Sequence, residues 1–173
     1  MAVLPIYIYG EKILRKRARE VKDITEEMVK LSRDMLETMY HAPGIGLAAP
    51  QVGQSLRLIV VDVKYHEEET REPHILFNPE IVESEGDSCE EEGCLSFPDI
   101  RAMVTRPEKI TVQAMGQDGK PLVLENISGL LSRCIQHEMD HLNGILFVDK
   151  ISNTDKLLLS GKLKKLAKET RSS

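Results

Sequence analysis

The stretch CIQHEMDHLNG, Cys134 to Gly144, contains two histidines four residues apart, with a glutamate directly after the first. On a helix each residue advances by about 100°, so His137 and His141 lie one turn apart on one face and their imidazoles can bind the same metal ion. Glu138 then lies beside the ion, where its carboxylate can accept a proton from a water that the ion acidifies. This HExxH pattern predicts a central helix that carries a hydrolytic metal site.

The segments before this helix have the composition of short strands. LRLIVVDV, residues 56–63, is a β-branched run of strand length, and HILFNPEIVES, residues 74–84, resumes extended structure after the charged surface segment YHEEETREP. EKITVQAMGQDGKPLVLENI predicts a hairpin, because Asp118-Gly119 suits a tight turn. We therefore expect an α+β fold with mainly antiparallel β-sheets around the HExxH helix.

Flanking helices are expected near both ends of the chain. DITEEMVKLSRDMLETMYHA has apolar residues at helical spacing, with Asp23 as the N-cap and a glutamate three residues later, the pattern of a capping box. The central helix is predicted to begin after Ser128 and to end at Gly144. A final helix is predicted for residues 153–168, weakened at Gly161.

Length and composition are those of one globular protein, so residues 1–173 are expected to form a single catalytic domain. Hydrophobic residues make up 41% of the chain, but no apolar run approaches the roughly 20 residues that cross a bilayer. The net charge of −5 argues against DNA as the main partner. The N-terminus lacks a leading basic cluster and Pro5 interrupts its apolar run, so we expect a cytoplasmic protein with no membrane partner.

A hydrolytic ion needs a third protein ligand, and the sequence offers three cysteines. Cys134 shares the helical face of the histidines but lies about 10 Å from His141 along the axis, which favours a small buried side chain over a ligand. Cys89 is surrounded by carboxylates that disfavour a thiolate, whereas Cys94 follows Gly93, which permits close backbone approach. Local chemistry favours Cys94 over Cys89 without deciding between them.

Three segments resemble the signature motifs of the peptide deformylase family: GIGLAAPQ at residues 44–51, EGCLS at 92–96 and QHEMDH at 136–141. They occur in the family's order with similar separations, and the resemblance extends over almost the whole chain, from LPIYIYG to GILFVDKIS. For the cell it implies a ferrous ion, with zinc, nickel or cobalt as substitutes in purified protein. The metal ligands that it implies are Cys94, His137 and His141.

The resemblance also implies roles for the residues around the ion. Glu138 transfers the proton, while the Gln51 side-chain amide and the Leu95 backbone N–H stabilise the oxyanion. An extended substrate peptide runs along the backbone at Gly46, and Gly93 leaves room for close approach. The residues expected to contact the methionine side chain of the substrate are Ile45, Leu130 and Cys134.

Two arginines near these motifs have no assigned role. Arg133 lies where the resemblance leads us to expect an apolar residue, which leaves the rim of the side-chain pocket undefined. Arg101 either stabilises the fold or meets the substrate, and the sequence does not distinguish these roles.

The residues and the resemblance together imply a metal-dependent hydrolase that removes the formyl group from the N-formylmethionine of nascent polypeptides and releases formate. A metalloendopeptidase is one alternative, but such enzymes usually take a third ligand downstream, as His or Glu, and nothing after His141 offers a convincing one. A structural metal module is another. Structural sites are typically closed by four ligands, and Glu138 beside three ligands favours chemistry.

The C-terminal segment, residues 153–173, is basic in an otherwise acidic protein. A solvated amphipathic helix explains this pattern. So does a transient contact with the ribosome, because basic segments bind RNA phosphates and such an enzyme acts on nascent chains. The basic residues are Lys156, Lys162, Lys164, Lys165, Lys168 and Arg171.

Overall fold

Seven strands and three α-helices account for most of the chain that this computed structural model describes, residues 2–64 and 71–172. The helices are α1 (Glu26–His41), α2 (Gly129–Leu142) and α3 (Asn153–Ser172). The strands are β1 (Gly46–Ala48), β2 (Leu58–Val61), β3 (His74–Glu85), β4 (Ser88–Cys94), β5 (Phe97–Arg106), β6 (Lys109–Met115) and β7 (Pro121–Ile127). Most of the predicted surface segment YHEEETREP lies outside the described residues.

The strands form two antiparallel sheets. The larger sheet has the order β1-β2-β3-β6-β7, and β4 and β5 form a separate two-stranded sheet. Strands β6 and β7 form the predicted hairpin, in whose turn the Gly119 N–H donates to the Gly116 carbonyl (3.0 Å). Antiparallel sheets around helix α2, with a helix near each end of the chain, confirm the predicted α+β fold.

Strand β2 lies in the centre of the core, and all of its residues are buried. Ile59 and Val61 pack in the same apolar cluster as Ile135 of α2, whereas the alternate residues Leu58 and Val60 pack with methionines of α1. Because side chains alternate across a strand, helices on both faces explain why LIVV is a continuous apolar run. This arrangement holds α2, with its histidines, against the middle of the sheet.

Helix α1 begins two residues later than the capping pattern predicted. Thr25 is the N-cap: its backbone is extended (φ −84°, ψ 172°), and its side-chain oxygen accepts a hydrogen bond from the Met28 N–H (3.4 Å). The prediction of Asp23 was wrong because the capping-box pattern does not specify which polar residue is the last one outside the helix. Ser128 does precede α2 directly, but its side chain makes no capping hydrogen bond.

Helix α3 packs against the N-terminal segment of the chain. It continues through Gly161 and extends four residues beyond the predicted end. The Thr170 hydroxyl donates to the Tyr9 carbonyl (2.9 Å), and the Tyr9 ring stacks on Phe97 of β5, with 4.8 Å between ring centroids. Helix α3 therefore packs on the side of the molecule that carries the two-stranded sheet. Neither α3 nor any other helix in the described residues is long and apolar enough to cross a membrane.

Candidate metal centre

The end of strand β4 and one face of helix α2 bring together three side chains that could hold a metal ion. The ligand atoms of Cys94, His137 and His141 all lie within 4.8 Å of one another. Cys94 Sγ is 3.4 Å from His141 Nε2. The ligands of a tetrahedral ion with bonds of about 2.0–2.3 Å lie about 3.5 Å apart, so this pair has the spacing that an ion requires.

Two buried polar atoms beside these ligands have no hydrogen-bond partner within the described residues, Glu138 Oε1 and His141 Nδ1. Buried polar atoms are normally paired, so unpaired ones at this position fit a centre that an ion and its water complete. A thiolate and two imidazoles are suitable donors for Fe²⁺, Zn²⁺, Ni²⁺ or Co²⁺. The residues present therefore fit a divalent transition metal.

The two imidazoles are held in different ways. His137 Nδ1 lies 2.8 Å from Glu92 Oε1 and donates to this carboxylate, which leaves Nε2 for the ion. Burial lowers the pKa of His141 well below its usual value and keeps it in the neutral form that binds metals. Burial also lowers the pKa of His137, but hydrogen bonds with Cys94 and Glu92 raise it well above its usual value, so a metal competes with a proton there.

Glu92 is a residue of the site that the sequence reasoning missed. It is 5% exposed and accepts hydrogen bonds from Arg106 (2.6 and 2.9 Å) and Arg133 (2.6 Å). Burial raises the pKa of Glu92, but the hydrogen bonds with His137 and Arg106 lower it by a larger amount, so that the pKa is about 2. Arg106 also donates to Asp140 of α2 (2.8 Å). A signal existed, because Glu92 begins the motif EGCLS and carboxylates commonly orient histidine ligands.

Glu138 lies beside the same ligands but has fewer partners. It is 5% exposed, and burial raises its pKa to about 7. A Cβ at Gly46 would lie 2.6 Å from Glu138 Oε2 and 2.7 Å from Cys134 Sγ, so any larger residue would displace one or both of these buried side chains. A neighbouring cation favours the ionised carboxylate, and Glu138 can then accept and return a proton near neutral pH.

Gln51 lies in a short 3-10 helix after β1, and hydrogen bonds at both ends fix the orientation of its side-chain amide. Oε1 accepts from the Ala48 N–H (2.9 Å), and Nε2 donates to Ser96 Oγ (3.1 Å). The Ser96 hydroxyl donates its own proton to the Tyr7 carbonyl (2.6 Å), so its oxygen has to accept from Gln51. Nε2 also lies 3.5 Å from Cys94 Sγ, which places this donor next to the metal ligands. Ser96 had not been predicted as part of the site.

A cavity of about 690 Å³ opens in front of the ligands. Leu130, 51% exposed, lies at its surface, whereas Gln51 and His141, each 1% exposed, do not line it but lie within 3.5 Å of the Cys94 sulfur, which does. The structure thus brings the predicted residues together at one cavity or next to its lining, while their individual roles stay predictions. The predicted residues that line it are Ile45, Gly46, Gly93, Cys94, Leu95, Leu130, Cys134, His137 and Glu138.

Cys89 and Cys134 do not belong to the candidate ligand cluster found among the described residues. Cys134 is buried in the cavity wall, where its Sγ lies 3.5 Å from the Ile45 carbonyl. Burial raises the pKa of this thiol well above its usual value, so it stays protonated and apolar in character. Cys89 is exposed near the other end of β4.

The two arginines without an assigned role differ in their surroundings. Arg133 is 8% exposed and its guanidinium is directed inward to Glu92, so its positive charge is buried and paired at the rim of the cavity. Arg101 is largely exposed at the cavity mouth, where it pairs with Glu91 (2.7 Å).

Comparisons with known proteins agree over nearly the whole chain. A model of the polypeptide deformylase family matches residues 3–157. The chain belongs to the peptide deformylase family. A peptide deformylase of Mesorhizobium japonicum is 48% identical over 170 residues, which are 98% of this chain and 96% of the relative. One of Agrobacterium fabrum is 46% identical over 169 residues, 97% of this chain and 98% of the relative.

Solved peptide deformylase structures have the same fold. The protein from Plasmodium falciparum matches with a TM-score of 0.90 at 38% identity, over 97% of this chain and 98% of that one. The protein from Legionella pneumophila matches with a TM-score of 0.87 at 42% identity, over 99% of both chains. A complex of the Synechococcus elongatus protein with actinonin has a TM-score of 0.85 at 44% identity, over 92% and 87% of the chains. The family is metal-dependent, in agreement with the donors found here.

Proposed function

We propose that this protein is a metal-dependent hydrolase that removes the formyl group from the N-terminal formylmethionine of newly synthesised polypeptides and releases formate. The observation that carries the proposal is a cysteine sulfur and two imidazoles whose ligand atoms lie within 4.8 Å of one another, beside a buried carboxyl group with a pKa of about 7. Membership of the peptide deformylase family supports the substrate. We assign the reaction to the cytoplasm of a bacterial-type cell, where formylated chains are made.

We assign the metal ion to Cys94, His137 and His141. An ion held by these three side chains would lower the pKa of a water molecule and polarise the formyl carbonyl. A set of three protein ligands is typical of catalytic sites, whereas structural sites usually have four.

Glu138 is the proton carrier in this proposal. Its carboxylate accepts a proton from the attacking water while the water oxygen forms a bond to the formyl carbon. The protonated side chain then donates to the amine nitrogen as the C–N bond breaks. The remaining hydroxyl proton passes to the amine, formate leaves, and Glu138 is a carboxylate again.

Negative charge develops on the formyl oxygen during the attack. We assign two donors to it, the Gln51 side-chain amide, which Ser96 orients, and the Leu95 backbone N–H. Donors that are already oriented stabilise the developing charge without rearrangement. The remaining assignments are Ile45, Leu130 and Cys134 for the methionine side chain, and Gly46 and Gly93 for the peptide backbone.

One assay tests this function against the alternatives. Metal-replete protein is incubated with formyl-Met-Ala-Ser, and formate and internal cleavage products are measured in the same sample. We expect formate and an intact Met-Ala-Ser peptide. Internal cleavage would indicate an endopeptidase, and no formate would contradict the proposal.

We propose Fe²⁺ as the ion in the cell. The donors accept several divalent metals, so the choice rests on the resemblance to the family. Protein purified without oxygen is expected to contain stoichiometric iron and to lose activity in air as the iron oxidises. Stoichiometric zinc with full activity in such a preparation would contradict this assignment.

We also propose that helix α3 makes a transient contact with the ribosome. Lys162, Lys164 and Lys165 are exposed on this helix, in a protein of net charge −5. Basic patches bind RNA phosphates by releasing counterions, and such binding weakens steeply as salt rises. The helix would thereby hold the enzyme near its nascent substrates.

Charge reversal tests this contact without removing α3. The double variant Lys162→Glu and Lys164→Glu is expected to co-sediment less with ribosomes at low salt and to show a shallower salt dependence. The matched control is Lys22→Glu with Lys120→Glu, because these lysines are also exposed and lie outside α3. Equal co-sedimentation of the two double variants would contradict the proposed contact.

A further inference from the structure

The candidate metal ligands come from two separately hydrogen-bonded parts of the fold. Cys94 ends strand β4 of the two-stranded sheet, whereas His137 and His141 lie on α2, which packs on the five-stranded sheet. The position of the β4–β5 hairpin relative to α2 therefore sets the distance from the sulfur to the imidazoles. Contacts that join the hairpin to α2 control the geometry of the centre.

Arg133 makes such contacts. From α2 its guanidinium donates to the Ser88 carbonyl (2.7 Å) and Glu92 Oε2 (2.6 Å) of β4, and to the Val104 carbonyl (2.9 Å) of β5. The residue is 8% exposed, so these bonds form in an environment where an unpaired guanidinium would be strongly unfavourable. One side chain of α2 thus binds both strands of the hairpin.

Arg133 also completes the set of partners of Glu92. Oε2 accepts from Arg133 Nη1 and Arg106 Nε, both at 2.6 Å. Oε1 accepts from Arg106 Nη2 (2.9 Å) and lies 2.8 Å from His137 Nδ1. Because both oxygens are bound on two sides, the carboxylate cannot turn away from His137. The imidazole is then held in one orientation, with Nε2 directed to the ion.

Arg106 does not replace Arg133 in this arrangement. Arg106 and Glu92 both belong to the β4–β5 hairpin, so their ion pair stabilises the hairpin itself. The contact of Arg106 with α2 is through Asp140 (2.8 Å). Arg133 supplies Glu92 with a second positive charge, which comes from α2, whereas Asp140 also pairs with Lys150 (3.5 Å). Without Arg133, Glu92 would keep Arg106 as its arginine partner, which belongs to the same hairpin.

We propose that Arg133 is a positioning residue of the metal centre, which orients His137 through Glu92 and holds the strand of Cys94 against α2. This inference rests on the proposed metal site. Arg133 also lines the cavity, and a direct contact with the substrate is the competing explanation. A substrate contact would change KM and leave the retention of the metal unchanged, whereas a positioning role changes retention in the absence of substrate.

The experiment compares Co²⁺-loaded variants by their visible absorption and by the rate at which they release Co²⁺ to an excess of chelator. Arg133→Met keeps the stem and removes every guanidinium bond. We expect it to release Co²⁺ about 10- to 100-fold faster than the unaltered chain, with a shifted thiolate-to-cobalt band. Arg133→Lys keeps the charge but has one nitrogen in place of the two, Nη1 and Nη2, that Arg133 uses, so an intermediate rate is expected. Arg15→Met, which removes another carboxylate-paired arginine (2.6 Å to Asp149), is expected to release Co²⁺ at the unaltered rate.

A folded Arg133→Met variant with the unaltered release rate and spectrum would overturn the inference, whatever its KM. If that variant does not fold, Arg133→Lys decides: faster release supports the positioning role, and an unaltered rate overturns it. Failure of the unaltered chain to bind stoichiometric Co²⁺, or to form formate when loaded, would instead overturn the proposed function.

Discussion

Glu92 and Glu138 are buried to the same extent, 5% exposed each, but their carboxyl groups have opposite properties. Burial raises the pKa of both. At Glu92 the hydrogen bonds from His137 and Arg106 more than offset burial, and the pKa falls to about 2. At Glu138 burial dominates, one oxygen has no partner in the described chain, and the pKa rises to about 7.

The difference shows that the partners of a buried carboxyl group, more than burial itself, decide what it can do. Glu92 is fixed in charge and orientation, which suits a residue that holds a metal ligand in place. Glu138 is poised to exchange a proton, which suits a general base and acid. Replacing each carboxyl group by its amide isostere separates these two roles.

The largest effect is expected for Glu138→Gln. Glutamine cannot accept or return a proton, so kcat for formyl-Met-Ala-Ser should fall about 100- to 10,000-fold. The bound Co²⁺ and the melting temperature should change little, because Glu138 is not an assigned ligand and has few partners. Steady-state kinetics, metal analysis and thermal melting measure the three quantities. Loss of the metal from this variant would show that Glu138 holds the ion, against the role proposed for it.

Glu92→Gln should give the opposite pattern, in which stability and metal retention fall first. The amide leaves Arg133 buried without its carboxylate and leaves Arg106 with Asp140 alone, and removing one partner of a buried ion pair costs about 3–5 kcal/mol. Urea unfolding of the metal-free protein measures this loss without the contribution of the ion. Unchanged stability would mean that the two guanidinium groups find other partners.

A smaller effect is expected for Ser96→Ala. The variant lacks the acceptor that orients Gln51 Nε2, so stabilisation of the oxyanion should weaken and kcat should fall about 10-fold, or about 1.4 kcal/mol. KM and Co²⁺ content should stay as they are. Ser160→Ala is the matched control, since it removes a hydroxyl that donates to a backbone carbonyl in α3, that of Leu157 (2.9 Å). An unchanged kcat in Ser96→Ala would show that the Ala48 N–H orients Gln51 without help.

The parts of the site that the sequence could predict have a local or recognisable pattern. His137 and His141 are one helical turn apart, and Cys94 lies in a motif that resembles the family's. The hairpin at Asp118-Gly119 and the apolar strand LIVV were predictable for the same local reason.

Contacts between distant parts of the chain could not be predicted in this way. Arg133 lies 41 positions from Glu92, and Ser96 lies 45 positions from Gln51. The sequence around one residue of such a pair does not indicate which distant residue it will contact. The contact depends on how the hairpin, the helix and the N-terminal half pack against one another. The sequence EEEGC also does not distinguish Glu91 from Glu92, although alternation along β4 turns one side chain outward and the next inward.

The neighbouring pair Glu91–Arg101 gives the smallest expected effect and tests whether burial makes Glu92 important. Its distance of 2.7 Å matches the 2.6 Å of Glu92–Arg106, but its side chains are 58% and 61% exposed, against 5% and 2%. Exposed ion pairs contribute about 0.2–1 kcal/mol to the free energy of unfolding, and dissolved salt screens their attraction. Glu91→Gln should therefore shift the free energy of unfolding within that range, less at high salt, with Co²⁺ release unaltered. A loss as large as that in Glu92→Gln would show that chemical identity, and not exposure, separates these two glutamates.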